Sequence, residues 1–443
     1  MIVASEGTNV RSHASTRRAS SIDQLQGLYA QSARGGGSAA HLRALRLEGR
    51  ALDVGDGAWC WFNEPRALTT EDVTIVGWVA RNGDIRVASY NNETGKLVTS
   101  TLHPRLQRDD HANPAFHLRR DGRVTAFYSA HAGTPLYHRT TTVPARVANW
   151  GPERIVPTNT PGPYGYTYPN PVWSPLESKL YLFWRGGNFL PTFSTSDDDG
   201  ETWAPARTLM GDNEPQSSQR PYVKYASRNG VIHLAYNQSH PRDRPTSVFY
   251  MKYTPGVGWQ RAGGAGLGTP PFIPTDGDRV YNAFELDMRS WVHDIAVGAD
   301  GRPRIVFATF SRSADYTDHR YWYARWDGQA WRKREIARAG PSIDPDGEVM
   351  YSAGIVLDHE NPDTVYLARK KGNWFQIEVW RTRDGGANWS VTPITSSAKH
   401  HMRPVAPRNH AGTQVVQVLF MLGRYNSYRT YETTLALTNR SVA

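Results

Sequence analysis

The chain has 443 residues, more than a simple sandwich needs and ample for a large core. One cysteine, Cys60, rules out an internal disulfide and argues against a cysteine-based zinc site, and no apolar run is long enough to span a membrane. A net charge of +10 suits a polyanionic partner. Charge alone fits nucleic acid and an acidic polysaccharide equally well; no zinc-finger spacing and no dense Lys/Arg run beyond the N-terminus speaks for nucleic acid, which is not the expected partner.

Residues 1–50 are rich in Ser, Ala, Gly and Arg around Gly35-Gly36-Gly37, and read as an irregular leader or strap. Arg17-Arg18 precedes no apolar segment, so no signal peptide is visible. Residues 51–443 read as one domain of short strands and tight turns. Cys60, between Trp59 and Trp61, reads as a buried structural thiol. Trp150, Trp203, Trp259, Trp331 and Trp389 each close a strand-rich unit. Two of these ends, Ser196–Trp203 and Thr382–Trp389, share the pattern Ser/Thr-x-Asp-x-Gly-x-x-Trp, a turn in which the Asp binds backbone N–H groups and the Trp packs beneath.

A first hairpin recurs in every unit. The pairs are Val73–Trp78 with Ile85–Tyr90, Ala115–Leu118 with Val124–Tyr128, Pro171–Trp173 with Leu180–Trp184, and Tyr222–Ala226 with Val231–Tyr236. Trp291–Val297 with Arg304–Phe310, Ala353–Leu357 with Thr364–Ala368, and Arg403–Ala406 with Gln414–Met421 complete the set. Seven units of about 50 residues, nearly free of helical signals, predict an all-β, seven-bladed β-propeller with mostly four-stranded blades. The Gly/Pro-rich insert from Arg261 to Leu286 reads as a long loop before the fifth blade.

In such a ring the start of each first strand and the end of the second share one mouth. Glu71, His111, Tyr168, Arg220, His293, Asp294, Tyr351, His401 and Arg403 fall at starts, and His131, Arg185, His240, Arg312, Lys370 and Arg424 at ends. The other mouth holds mainly Asn-Gly and Asp-Gly turns. The first mouth is thus cationic and aromatic, with few carboxylates. Hydrolysis of a glycoside normally needs two placed Asp/Glu side chains. Only Glu71, Asp109, Asp110 and Asp294 are candidates, so hydrolysis stays an open alternative through Asp109-Asp110. β-Elimination from a uronate needs a cation at the carboxylate, a base for the C5 proton and an acid for the departing O4. Arginine offers a planar fork, histidine titrates near neutral pH, and a tyrosine beside cations exchanges a proton.

Asp109-Asp110-His111-Ala-Asn113-Pro114 followed by Phe127-Tyr128-Ser129-Ala130-His131 resembles the seven-bladed propeller polysaccharide lyases with BNR-4 type repeats, which include ulvan lyases and related rhamnose–glucuronate lyases. Tyr166-Thr167-Tyr168-Pro169-Asn170-Pro171 and Leu182-Phe183-Trp184-Arg185-Gly186 carry the likeness further, over roughly residues 56 to 440. The resemblance implies catalytic roles for His111, His131, Tyr168 and Arg185, with Arg185 neutralising the uronate carboxylate. Either histidine takes the C5 proton and Tyr168 donates to O4, or the reverse. Strand alternation puts Tyr166 and Tyr168 on one face; Tyr168 is preferred because it abuts Pro169-Asn170-Pro171. Asn113, Tyr166, Arg220, Tyr222, His240, His293 and Arg424 are the candidate substrate contacts. No cofactor is expected for the chemistry. A structural calcium, less readily zinc, is the metal the family implies, and His293-Asp294, His359 and His400-His401 are ligands by type only. The partner is an acidic polysaccharide of ulvan or plant-gum type, the expected state a monomer, and the substrate class implies secretion. A sialidase-like hydrolase and a non-catalytic glycan-binding propeller are the competing readings.

Overall fold

The computed structural model describes residues 51–439 apart from 163–164, 212–220, 286, 312–316 and 411–415. The leader, Arg220 and Arg312 therefore lie outside the described residues. The rest forms seven antiparallel sheets, the seven-bladed propeller that the repeats predict. Six follow in chain order over 67–103, 115–155, 167–208, 222–281, 288–340 and 355–393. The seventh joins both ends of the domain. Its strands His401–Val405, Val416–Ser427 and Thr430–Asn439 are completed by Leu52–Asp56, which pairs antiparallel with Thr430–Asn439 and closes the ring. None of the described residues forms a helix long and apolar enough to cross a membrane.

The two repeated turns are wired alike. Ser196 Oγ donates to Asp198 (2.7 Å) and accepts from the Gly200 N–H (2.8 Å), while Asp198 accepts from the Thr202 N–H (2.8 Å). Thr382, Asp384, Gly386 and Asn388 repeat this at 2.8, 2.9 and 2.9 Å. Both sit between third and fourth strands, so they brace blade edges.

Two expectations are corrected. In blade one, Val73–Val79 and Ile85–Asn91 are the second and third strands, and the first is Ala67–Thr69. Three residues are too few to show alternation. Glu71 therefore lies in the turn after the first strand, at the opposite mouth. The insert after Arg261 is not a plain loop. It contributes Gly266–Gly268 and Asp278–Tyr281, which make blade four six-stranded.

Between the closing strand and blade one, residues 57–66 cross the middle of the ring. Trp59, Cys60, Trp61, Phe62, Asn63 and Glu64 are all buried. The indoles donate to Arg403 O and Val292 O (both 3.0 Å), and Asn63 donates to Asn113 O (2.6 Å). Asn170 donates to Phe62 O (2.8 Å), and Lys224 Nζ donates to Trp61 O. This segment plugs the channel and ties five blades to one another. Behind it Glu64 holds Arg66 (2.7 Å) and the fully buried Lys224 (3.3 Å). Burial opposes the charge on Glu64, but Arg66, Lys224 and Arg408 outweigh it and bring its pKa down from 4.5 to about 2. Glu64→Gln leaves two buried cations uncompensated, and denaturant unfolding should show a loss of about 3–5 kcal/mol. Because the folded pKa is depressed, this stabilisation is present above about 4.5 and fades as the pH falls toward about 2.

Candidate active site

Asp110–Ala112 is a single 3-10 turn capped by Asp109, whose carboxylate accepts from the His111 N–H (3.1 Å). His131 follows the strand Val124–Tyr128, and its N–H donates to Gln107 Oε1 (2.6 Å). Antiparallel pairing brings the two histidines to one end, where their rings stack with centroids 4.1 Å apart and planes 13° from parallel. One fully buried carboxylate holds both. Asp109 Oδ1 lies 2.7 Å from His111 Nδ1, and Oδ2 lies 3.0 Å from His131 Nδ1 and 3.3 Å from Arg429 Nε. A carboxylate only accepts, so both Nδ1 atoms carry hydrogen.

The Nε2 atoms then differ. That of His111 meets the Tyr351 hydroxyl at 3.2 Å, and that of His131 accepts from Arg185 Nη2 at 3.4 Å. Burial works against a charge on His111, but the acidic groups around it, Tyr168 and Cys60 when ionised and the Asp109 and Asp110 carboxylates, outweigh it and hold its pKa well above the usual imidazole value. Burial and the charge on His111, with Arg185 adding to them, bring His131 down to about 4 against the pull of Asp109. Their surroundings push the two imidazoles apart, His111 toward its charged form and His131 toward its neutral form, the arrangement that separates an acid from a base.

Arg185 ends the strand Lys179–Arg185 and is 5% exposed. Its guanidinium lies 4.6 Å from the Tyr168 ring, 4.7 Å from Phe189 and 5.4 Å from Tyr222, and Nη1 donates to the Tyr222 hydroxyl (3.0 Å). Its Nε has no partner, and among the described residues no carboxylate lies within 4.0 Å of it. A buried cation without a counter-ion is costly to the fold and marks a place for an anion.

Tyr168 faces the same cavity, and Tyr166 does not. The register slips between Thr167 and Asn170, and Tyr168 takes φ +62°. That breaks the two-residue period, so the expected common face is lost. Tyr166 packs on Trp184 (5.8 Å) and donates to Thr158 O (2.7 Å). Burial raises the Tyr168 pKa well above its ordinary value, against the pull of His111 and Arg185, and keeps the phenol protonated.

These groups line a cavity of about 270 Å³ with Trp61 and Phe62 in its lining and Tyr222, His240, Trp291, Glu348, Tyr351 and Tyr428 around it. Tyr222 and His240 thus join the four predicted catalytic residues. Asn113, His293 and Arg424 do not. Asn113 is fully buried and accepts from the Cys60 N–H (3.0 Å). His293 stacks behind Trp61 (4.9 Å) and bonds Ser352 (3.0 Å). Arg424 is exposed opposite Glu432, because the strand Val416–Ser427 runs further than expected and presents Tyr428 and Arg429 at the mouth instead. Arg242 and Arg429 are the cavity's outer cations.

The metal candidates do not converge. His359 pairs with Asp294 (3.1 Å), His400 accepts from the Phe375 N–H (3.2 Å), and His401 packs on Phe420. Among the described residues two triads could hold an ion, Cys60 with Asp110 and His111, and Asp109 with His111 and His131. Nitrogen and sulfur donors suit zinc above calcium. In both triads, however, the carboxylate already accepts a hydrogen bond, and Arg429 stands against the second.

The bridging role of Asp109, the floor of Trp61 and Phe62, and the wall Tyr428 were not assigned from sequence, whereas Tyr351 was expected at this mouth and lines the cavity. The aromatic run Trp59–Phe62, ahead of any blade, was the available signal for the floor.

The BNR repeat-containing family (BNR_4) matches residues 73–339. Among solved structures, the chain is similar to a PL25 ulvan lyase, at 16% identity and TM-score 0.69 over 89% of this chain and 98% of that one. The same relative is also known bound to -[GlcA(1-4)Rha3S]-. The polysaccharide lyase Uly1 is similar at 13% identity and TM-score 0.61, over 91% of this chain and 95% of that one. At these identities the likeness establishes the fold. No curated protein matches the chain in sequence.

Proposed function

The chain belongs to the BNR repeat-containing family, and from that premise we propose that it is a polysaccharide lyase cleaving rhamnose–glucuronate-type linkages in an acidic polysaccharide by β-elimination. The observation that carries the reading is Arg185, a buried guanidinium with no described counter-ion, beside a divided histidine pair and a neutral phenol in one cavity. The uronate carboxylate takes the fork of Arg185, which stabilises the negative charge that develops when C5 loses its proton. His131, neutral and held by Asp109 with its Nε2 lone pair toward Arg185, accepts that proton. The C4–C5 double bond forms as the C4–O4 bond breaks, and Tyr168 protonates O4. The His111 imidazolium, its ring centroid 5.7 Å from that of Tyr168, lowers the cost of the phenolate left behind. The structures of a PL25 ulvan lyase, one of them with a glucuronate–rhamnose ligand, support this class of substrate.

The test is near-ultraviolet absorbance on ulvan and gum arabic. An unsaturated uronate absorbs there, so absorbance rises with cleavage. Reducing ends without absorbance would overturn the reading in favour of hydrolysis, for which Glu348 is the cavity's carboxylic acid, its pKa raised by burial. The pH profile follows from the divided pair. His131, depressed from 6.5 to about 4, stays unprotonated across a range where a free imidazole is charged. The acid limb of kcat/KM is therefore expected near about 4, and the basic limb, set by His111, well above 6.5. An acid limb at or above 6.5 would remove His131 as the base.

A further inference from the structure

We propose that the end of blade six carries a second glycan-contact surface, centred on Trp374, that holds the acidic polysaccharide chain as it leaves the catalytic cavity. Trp374 begins the strand Trp374–Arg381 at a hairpin tip and is 37% exposed, unusual for an indole in this ring. One side of it meets His400 edge-on at 4.9 Å. Three of the chain's eight lysines cluster there, Lys370, Lys371 and Lys399, and all three are exposed. Lys371 pairs with Glu378 (3.0 Å). Lys370 and Lys399 have no carboxylate within 4.0 Å among the described residues.

The register places this surface at the mouth. Ile355 pairs with Leu367, and Ala368 N–H donates to Gly354 O (2.9 Å). The residues just before Ile355 include Tyr351, a wall of the cavity, so the end of Thr364–Lys371 lies toward the same mouth, and Lys371 pairs with Trp374. Trp374 thus begins the third strand of blade six, two strand spacings, about 10 Å, outward from the line of its first strand and at the end of the ring where the cavity opens. An exposed indole gives the apolar face of a sugar ring something to stack on, and flexible ammonium groups beside it meet carboxylates at varied spacing. A polymer of alternating neutral and acidic sugars offers both. The inference rests on the reading of the chain as polysaccharide-active but not on its bond-breaking chemistry.

Affinity electrophoresis in gels containing ulvan or gum arabic, with neutral dextran as control, tests it without catalysis. In an Arg185→Ala background the full chain should be retarded by an acidic polymer and not by dextran. Trp374→Ala should relieve the retardation, and so should the Lys370→Glu/Lys399→Glu pair, which alters only exposed side chains. With catalysis intact, Trp374→Ala should raise KM on polymer roughly 2- to 10-fold and leave KM on a disaccharide-length substrate unchanged. Equal retardation of parent and variants, or no retardation of the parent by either acidic polymer, overturns the proposal. An absence of ultraviolet product with retardation relieved would sink the lyase reading and leave this surface standing.

Discussion

Arg185→Ala is expected to lower kcat/KM by about 100- to 1000-fold or more, since one preorganised group aimed at developing charge is commonly worth about 3–4 kcal/mol. The guanidinium is buried against Tyr168, Phe189 and Tyr222, so water does not replace it easily once substrate is bound. Arg185→Lys keeps the charge but loses the fork, and should recover only part of the rate. The same substitutions separate function from structure. A buried cation with no described counter-ion burdens the fold, so replacing it with an apolar side chain should leave the thermal midpoint unchanged or raise it. Steady-state kinetics with thermal unfolding measures both. A rate loss below about tenfold, or a marked drop in stability, would reduce Arg185 to a packing role.

The second large effect is expected at a residue that touches no substrate. Asp109 accepts from both imidazoles at once, and an amide cannot. In Asp109→Asn the carbonyl oxygen serves one Nδ1–H while the NH₂ confronts the other. The ring facing the NH₂ must then present a lone pair at Nδ1 and carry its hydrogen at Nε2. If that ring is His131, the base has its proton on the atom that should accept one. The loss should approach the roughly 10⁴-fold drop seen when the orienting carboxylate of a catalytic histidine is made an amide. KM should move little, because Arg185 still binds the carboxylate. The pH profile distinguishes this from simple misfolding. Without the negative charge of Asp109, His111 loses one of the groups that raises its pKa, so the basic limb should shift downward. Asp109→Asn with full activity and an unmoved profile would mean that the two rings are held by other contacts.

Much of this site was legible because it is local. His111 and His131 bracket a hairpin, Arg185 ends a strand with unbroken alternation, and the Asp-turn motif announces itself in eight residues. What escaped the sequence depended on events that no local pattern encodes. The face of Tyr166 was misjudged because Tyr168 adopts positive φ and the register slips beside it. Arg424 was placed at the mouth because the end of a strand twelve residues long cannot be read from its apolar middle. Asp109 was visible as a carboxylate, but its grip on two rings arises only when the histidines stack. The floor is non-local in the strict sense, since Trp61 meets Val292 across 231 positions.

Leu52–Asp56 and the segment that follows it have a joint consequence for how the protein fails. The strand that seals the circle runs directly into the stretch that carries Trp61 and Phe62 into the lining of the cavity. Peeling the seam open would pull on that stretch, so activity should vanish while six sheets are still intact. Conversely, anything resting on those two rings acts as a clasp, and occupancy of the cavity is coupled to circular integrity by mass action.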